Sequence, residues 1–126
     1  MSKGRFLGAQ MEAYLTDGLW LRLAERANVS ARRLARGLAG TPSVRLAWPT
    51  EANEVFVVAP KAMVEQWRTA GAVFHEWSTR SLAPGRGPRK GETLLRLVAS
   101  FETESSEIDR LLSICAEVQD PAAATP

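Results

Sequence analysis

The chain has 126 residues, 45% hydrophobic and 24% charged, which suits one globular domain with a modest core. Its net charge of +2 argues against a specific commitment to nucleic acid, although arginine supplies 13 of the 16 basic side chains. A single cysteine excludes an internal disulfide, and no apolar run approaches the roughly 18 residues that a membrane span needs. The start "MSKGRFLGAQ" has no secretory apolar region, so a cytoplasmic chain without a membrane partner is expected.

Leu7, Met11, Tyr14 and Leu15 recur at helical spacing and predict a helix over 4–16. "TDG" at 16–18 breaks it and offers Asp17 as a cap for the next helix. That second helix, about 18–39, carries one stripe of Trp20, Leu23, Ala24, Ala27, Ala31, Leu34, Ala35 and Leu38. Gly37 or Gly40 ends it, and Pro42 forbids continuation. Its other face holds Arg22, Glu25, Arg26, Arg32, Arg33 and Arg36.

The period then changes to two. "VRLAW" (44–48) alternates as a strand, and "EVFVVA" (54–59) is β-branched and aromatic. Pro60 opens a helix bearing Met63, Val64, Trp67 and Ala70, closed by Gly71. "AVFHEW" (72–77) reads as a third strand, 78–93 as a Gly-, Pro- and Arg-rich loop, and the stretch from Leu94 as a fourth strand. Thr103 is placed to cap a last helix that buries Ile108, Leu111, Leu112 and Cys115. The sum is an α+β fold: two N-terminal helices, then a small, largely antiparallel sheet covered by helices on one face. Residues 1–40 read as connecting helices, 41–119 as a small α+β domain and 120–126 as a disordered tail. The first helix has little sheet of its own to cover, and suits packing against something outside this chain.

Few residues carry recognisable chemistry. No Cys/His cluster has metal spacing, and neither a phosphate-binding glycine loop nor a nucleophile elbow is present, so no catalytic or metal residue is assigned. His75 has no adjacent acid or nucleophile and reads as a surface histidine at the sheet's periphery. The four tryptophans are dispersed at positions that fit a core. Arg96 stands out, set inside the apolar run Leu94-Leu95-Arg96-Leu97-Val98-Ala99, because desolvating an unpaired guanidinium is costly. On a strand, Leu95, Leu97 and Ala99 point one way and Leu94, Arg96 and Val98 the other. Arg96 either pairs with a local carboxylate such as Glu92 or Glu102, or presents a planar fork to a ligand carboxylate.

The segments "SKGRFLGAQMEAYLTDGLWLRLAERAN", "RRLARGL", "VRLAWPTEANEVFV" and "LRLVASFETESSEID" closely resemble low-specificity threonine aldolases, over residues 2–118. These are pyridoxal-phosphate-dependent lyases of the aspartate aminotransferase fold (fold type I), and the resemblance is to their C-terminal, small-domain portion. It implies that Arg96 binds the α-carboxylate of an amino-acid substrate, and that Lys3 and Arg5 lie near the cofactor phosphate. It also implies that the cofactor-bearing lysine belongs to a large domain upstream of everything here. Lys3, Lys61 and Lys90 have no such context, so this chain alone is expected to hold no pyridoxal phosphate covalently and to be inactive alone. A start at an internal methionine of a longer enzyme accounts for that. The expected partners are a further copy of the chain or a missing large domain. The competing reading, from a different class, is a non-catalytic module that docks a partner or an anionic surface through helix 1 and the arginine-rich face.

Overall fold

The computed structural model describes residues 3–80, 82, 85 and 87–118. The expected tail at 120–126 lies outside them. In chain order the elements are α1 (Gly4–Leu15), a short 3-10 turn (Thr16–Gly18), α2 (Leu19–Ala39), β1 (Arg45–Leu46), β2 (Glu54–Pro60), α3 (Lys61–Thr69), β3 (His75–Glu76), β4 (Glu92–Val98) and α4 (Ser105–Glu117). The four strands form one antiparallel sheet in the order β1-β2-β4-β3. The expected α+β arrangement is therefore the observed one.

Alternation along the two long strands divides the sheet into faces. Val55, Val57 and Ala59 of β2, with Leu95 and Leu97 of β4, join the main core. Met63, Val64 and Trp67 of α3, Ile108 and Cys115 of α4, and Ala31, Leu34, Ala35 and Leu38 of α2 close over them. Three helices thus cover this face, since α2 packs on the sheet as well as on α4. Removing side chains such as Leu38 or Trp67 from water is worth about 1.5–3 kcal/mol each. The opposite face carries a smaller cluster of Ala47, Val58 and Leu94 with Trp48, Phe56 and Leu82 against it.

Several local expectations need correction. The stripe on α2 is buried only from Ala27 onward, and Trp20 is exposed, because the sheet and α4 cover the later turns of the helix and only α1 and the short turn meet its start among the described residues. Neither Asp17 nor Gly18 caps α2 with a side chain. Both take left-handed backbone, with φ of 51° and 67°, and so turn the chain sharply between the helices. Gly37 does not end α2. It lies inside the helix, where an added Cβ would fall 2.4 Å from a methyl of Leu112, so glycine is what lets α4 approach. Gly40 is the cap residue that follows.

At α4 the N-cap is Glu104 rather than Thr103. Its side chain and that of Glu107 satisfy each other's backbone N–H groups as a capping box. The Thr103 hydroxyl instead accepts from the Ser100 N–H at 2.8 Å, shaping the turn before the helix. The expected third strand shrinks to His75–Glu76: Ala72 and Phe74 face the core while Val73 is 90% exposed, without ladder partners. β4 begins earlier than expected, at Glu92, because β2 extends to Pro60 and pairs with it there.

Candidate functional site

Arg96 lies mid-strand on β4, on the face turned away from the helices. Its register partners are Phe56 on one side and His75 on the other. The guanidinium lies over the ring of Trp77, 3.9 Å from the centroid, close enough for a cation–π contact. Phe56 meets Trp48 edge-on at 4.8 Å and Trp77 at a tilt at 6.1 Å, so a row of three rings leads away from the arginine. Nη1 donates to Glu54 Oε1 at 3.2 Å. Nε is buried and has no hydrogen-bond partner among the described residues. Such a donor costs about 1–3 kcal/mol, which calls for an explanation in a settled fold. An open cleft of about 390 Å³ reaches Arg96 mainly from the helix side of the sheet, with Leu34, Phe74, Ile108 and Leu111 of the main core beside His75 and Val98 in its walls. Its volume is within the size range of small-ligand sites.

Two of the expected features take other positions. Arg96 pairs with neither Glu92 nor Glu102. Glu92 is held by Arg45, which donates to both of its carboxylate oxygens at 2.8 Å and also reaches the Gly87 carbonyl at 2.9 Å. Two of the four tryptophans are not core residues, Trp20 being exposed and Trp77 lying under the arginine, while Trp48 packs against the smaller cluster and Trp67 is inside. Lys3 precedes α1 as its N-cap and Arg5 lies on that helix. Both are exposed, on an element that meets α2 rather than the strands carrying Arg96. Lys61 and Lys90 are exposed too. No step through pyridoxal phosphate is therefore assigned to this chain's side chains.

Other groups are accounted for structurally. Burial pushes the Cys115 thiol up to about 12, so it packs as a small hydrophobe. Arg32 pairs with Glu25 at 2.8 Å and Arg33 with Asp109, which engages part of the arginine-rich face within the chain. No three His, Cys, Asp or Glu side chains converge as metal ligands among the described residues, and none of the described helices is long and apolar enough to cross a membrane.

The Arg45 clamp makes a pH-dependent contribution. Hydrogen bonds from Arg45, opposed by burial and joined by the Arg89 backbone N–H, hold the Glu92 carboxyl below the usual carboxylate range. Its folded value is depressed, so the stabilisation is present above the ordinary glutamate range and is lost as pH falls through the lowered value. Glu92→Gln is expected to melt at lower temperature than the wild type at pH 7, with the gap closing on acidification. A gap that stays constant down to pH 3 in thermal scans would contradict this.

No family profile matches the chain. It is 34% identical over 110 residues to the low-specificity L-threonine aldolase of Pseudomonas aeruginosa, a match covering 87% of this chain and 28% of that protein. The enzyme of the same description from a Pseudomonas species gives the same identity and coverage. Among solved structures, the threonine aldolase of Leishmania major superposes with a TM-score of 0.77 at 28% identity, covering 93% of this chain and 31% of the other. The chain is homologous to part of a threonine aldolase. It spans little more than a quarter of the length of the curated threonine aldolases that it matches. A serine palmitoyltransferase of Sphingomonas wittichii, with a TM-score of 0.58 at 18% identity over 81% of the chain, shares the fold.

Sequence reasoning singled out Arg96 but missed the residues that hold it. Glu54 read only as the first residue of the second strand and Trp77 as core. Period-2 alternation places Glu54 and Phe56 on one face, yet only the pairing register, which puts Phe56 opposite Arg96, brings Glu54 within reach.

Proposed function

We propose that this chain forms the substrate-carboxylate-binding part of a threonine-aldolase-type lyase, with Arg96 as the residue that takes the α-carboxylate. The observation that carries the reading is a guanidinium on a rigid central strand, stacked on Trp77 and left with an unpaired buried Nε–H. Two parallel N–H donors match the two oxygens of a carboxylate in geometry and charge. The reaction of the whole enzyme is retro-aldol cleavage of a β-hydroxy-α-amino acid to glycine and an aldehyde. Pyridoxal phosphate supplies the electron sink for such cleavage, and the role of Arg96 is to orient the amino acid so that the bond to be broken is correctly aligned. Nothing in the chain's own side chains replaces the cofactor lysine, so the chain alone is a binding domain without activity. Residues 1–40 serve as the connection to the rest of the enzyme and 41–119 as its small domain. Lys3 and Arg5 serve near the cofactor phosphate only where that remainder is supplied.

The experiment is a chimera in which the 110 matched residues replace the corresponding segment of the Pseudomonas aeruginosa enzyme. Arg96→Lys in an active chimera is expected to lower kcat/KM for threonine by about ten- to a hundredfold, the worth of a hydrogen bond to a charged group. Unchanged kcat/KM would overturn the assignment of Arg96.

A further inference from the structure

We propose that Glu54 is a resident carboxylate that occupies Arg96 until a carboxylate ligand displaces it, and that Trp77 holds the guanidinium plane through the exchange. This deepens, and rests on, the reading of Arg96 as a carboxylate-binding residue. Glu54 is directly opposite Val98, not Arg96, so the pair is a diagonal one across the two central strands. Diagonal neighbours stand about 7–8 Å apart at the backbone, and only two extended side chains on the same face close that gap.

The contact is correspondingly loose. A single Nη1–Oε1 bond of 3.2 Å joins them, whereas Arg45 and Glu92 on the same sheet make two bonds of 2.8 Å. Charge-assisted pairs ordinarily close to about 2.7–2.9 Å. Glu54 thus touches one nitrogen of the fork and leaves Nε without an acceptor. Its own side chain is 40% exposed, so it can swing into water without being desolvated again. Trp77 covers one face of the guanidinium, so acceptors must approach in the plane of the fork. A ligand carboxylate that spans the two terminal nitrogens takes the one that Glu54 holds and gains a second bond that Glu54 does not make. Until it arrives, Glu54 neutralises a cation set among Phe56, Trp77 and Leu94.

Because Glu54 competes for the same fork, the apparent affinity for a carboxylate is reduced by the fraction of molecules in which Arg96 is already engaged. Glu54→Gln removes the competing charge and keeps the shape. The test follows the Arg96 Nε–H resonance in nitrogen-15 spectra of the 126-residue chain, assigned by its loss in Arg96→Lys. Glycine is titrated in, with methylamine as the control lacking a carboxylate. Glycine should shift the resonance and methylamine should not. Half-saturation for Glu54→Gln should come at about fivefold lower glycine than for the wild type, the size of a part-exposed ion pair. Glu54→Asp, which withdraws the carboxylate by one methylene and disturbs the strand least, should move in the same direction by less. Trp77→Leu should weaken glycine binding. Equal or weaker binding by both Glu54 variants, with a normal wild-type titration, overturns the role of Glu54 and leaves Arg96 as the carboxylate residue. If glycine moves the Arg96 resonance in none of the proteins, the carboxylate reading of Arg96 falls together with it.

Discussion

The purified chain is expected to run in solution as a two-fold dimer closed through α1. Phe6, Leu7, Met11, Tyr14 and Leu15 are all exposed, α1 buries no residue at all, and the apolar surface continues over Trp20 and Leu21 at the start of α2. Each large apolar side chain moved out of water is worth about 1.5–3 kcal/mol. Four contributed by each of two copies are worth about 12–24 kcal/mol if fully covered, against the roughly 4–15 kcal/mol that association costs in lost freedom. A second copy is the partner always present in a pure sample, and a two-fold axis lets the same stripe meet itself. Leu7 and Met11 lie one helical turn apart on that stripe, so a Leu7→Glu, Met11→Glu double variant places four charges at the centre of the contact. Light scattering should give twice the chain mass for the wild type and the single mass for the variant. A monodisperse wild-type monomer at tens of micromolar would sink the idea, because it would mean that α1 needs no cover. The Arg32–Glu25 and Arg33–Asp109 pairs support this apolar route over an anionic surface as the partner of the N-terminal helices.

The parts of the fold that were legible in the sequence are those in which local periodicity and burial coincide. Ala31, Leu34, Ala35 and Leu38 recur at helical spacing and are buried, and Val55, Val57, Leu95 and Leu97 alternate and are buried. The parts that were not legible depend on partners distant in sequence. Trp20 extends the stripe of α2 perfectly well, yet it lies outside the buried core and stays 40% exposed, so period alone gave the wrong burial. Gly37 and Gly40 both read as possible helix ends because glycine usually ends helices; Gly40 is the cap, whereas at Gly37 the side chain of Leu112, 75 positions on, lies where a Cβ would be. At the site, one charge in an apolar strand was enough to single out Arg96. Its carboxylate partner was missed because pairing register is a property of two strands, and neither strand carries it alone.

The largest loss of stability is expected at Trp67, and through it the Arg96 site depends on a residue on the other side of the sheet. Trp67 is 1% exposed, lies in α3 against the sheet's inner face and meets Phe74 edge-on with ring centroids 6.2 Å apart. Truncating so large a buried side chain leaves a cavity, and Trp67→Ala should cost about 3–5 kcal/mol. A domain of this size has about 5–15 kcal/mol in all, so the variant should be close to unfolding at 37 °C. The indole Nε1–H is itself buried without a partner among the described residues, so part of what the ring gains by burial is offset by that orphan donor. Trp67→Phe removes the donor together with some of the packing, and should cost less than half as much as alanine. Urea unfolding followed by circular dichroism separates the two substitutions. Equal losses for Phe and Ala would show that the indole's full outline, rather than its area in the core, is what α3 requires. Because β2 runs directly into α3, with Pro60 ending the strand and Lys61 opening the helix, loosening Trp67 also frees the strand that carries Glu54 and Phe56. In Trp67→Ala the Arg96 Nε–H resonance should therefore broaden before the sheet as a whole unfolds, and in Trp67→Phe it should stay where it is.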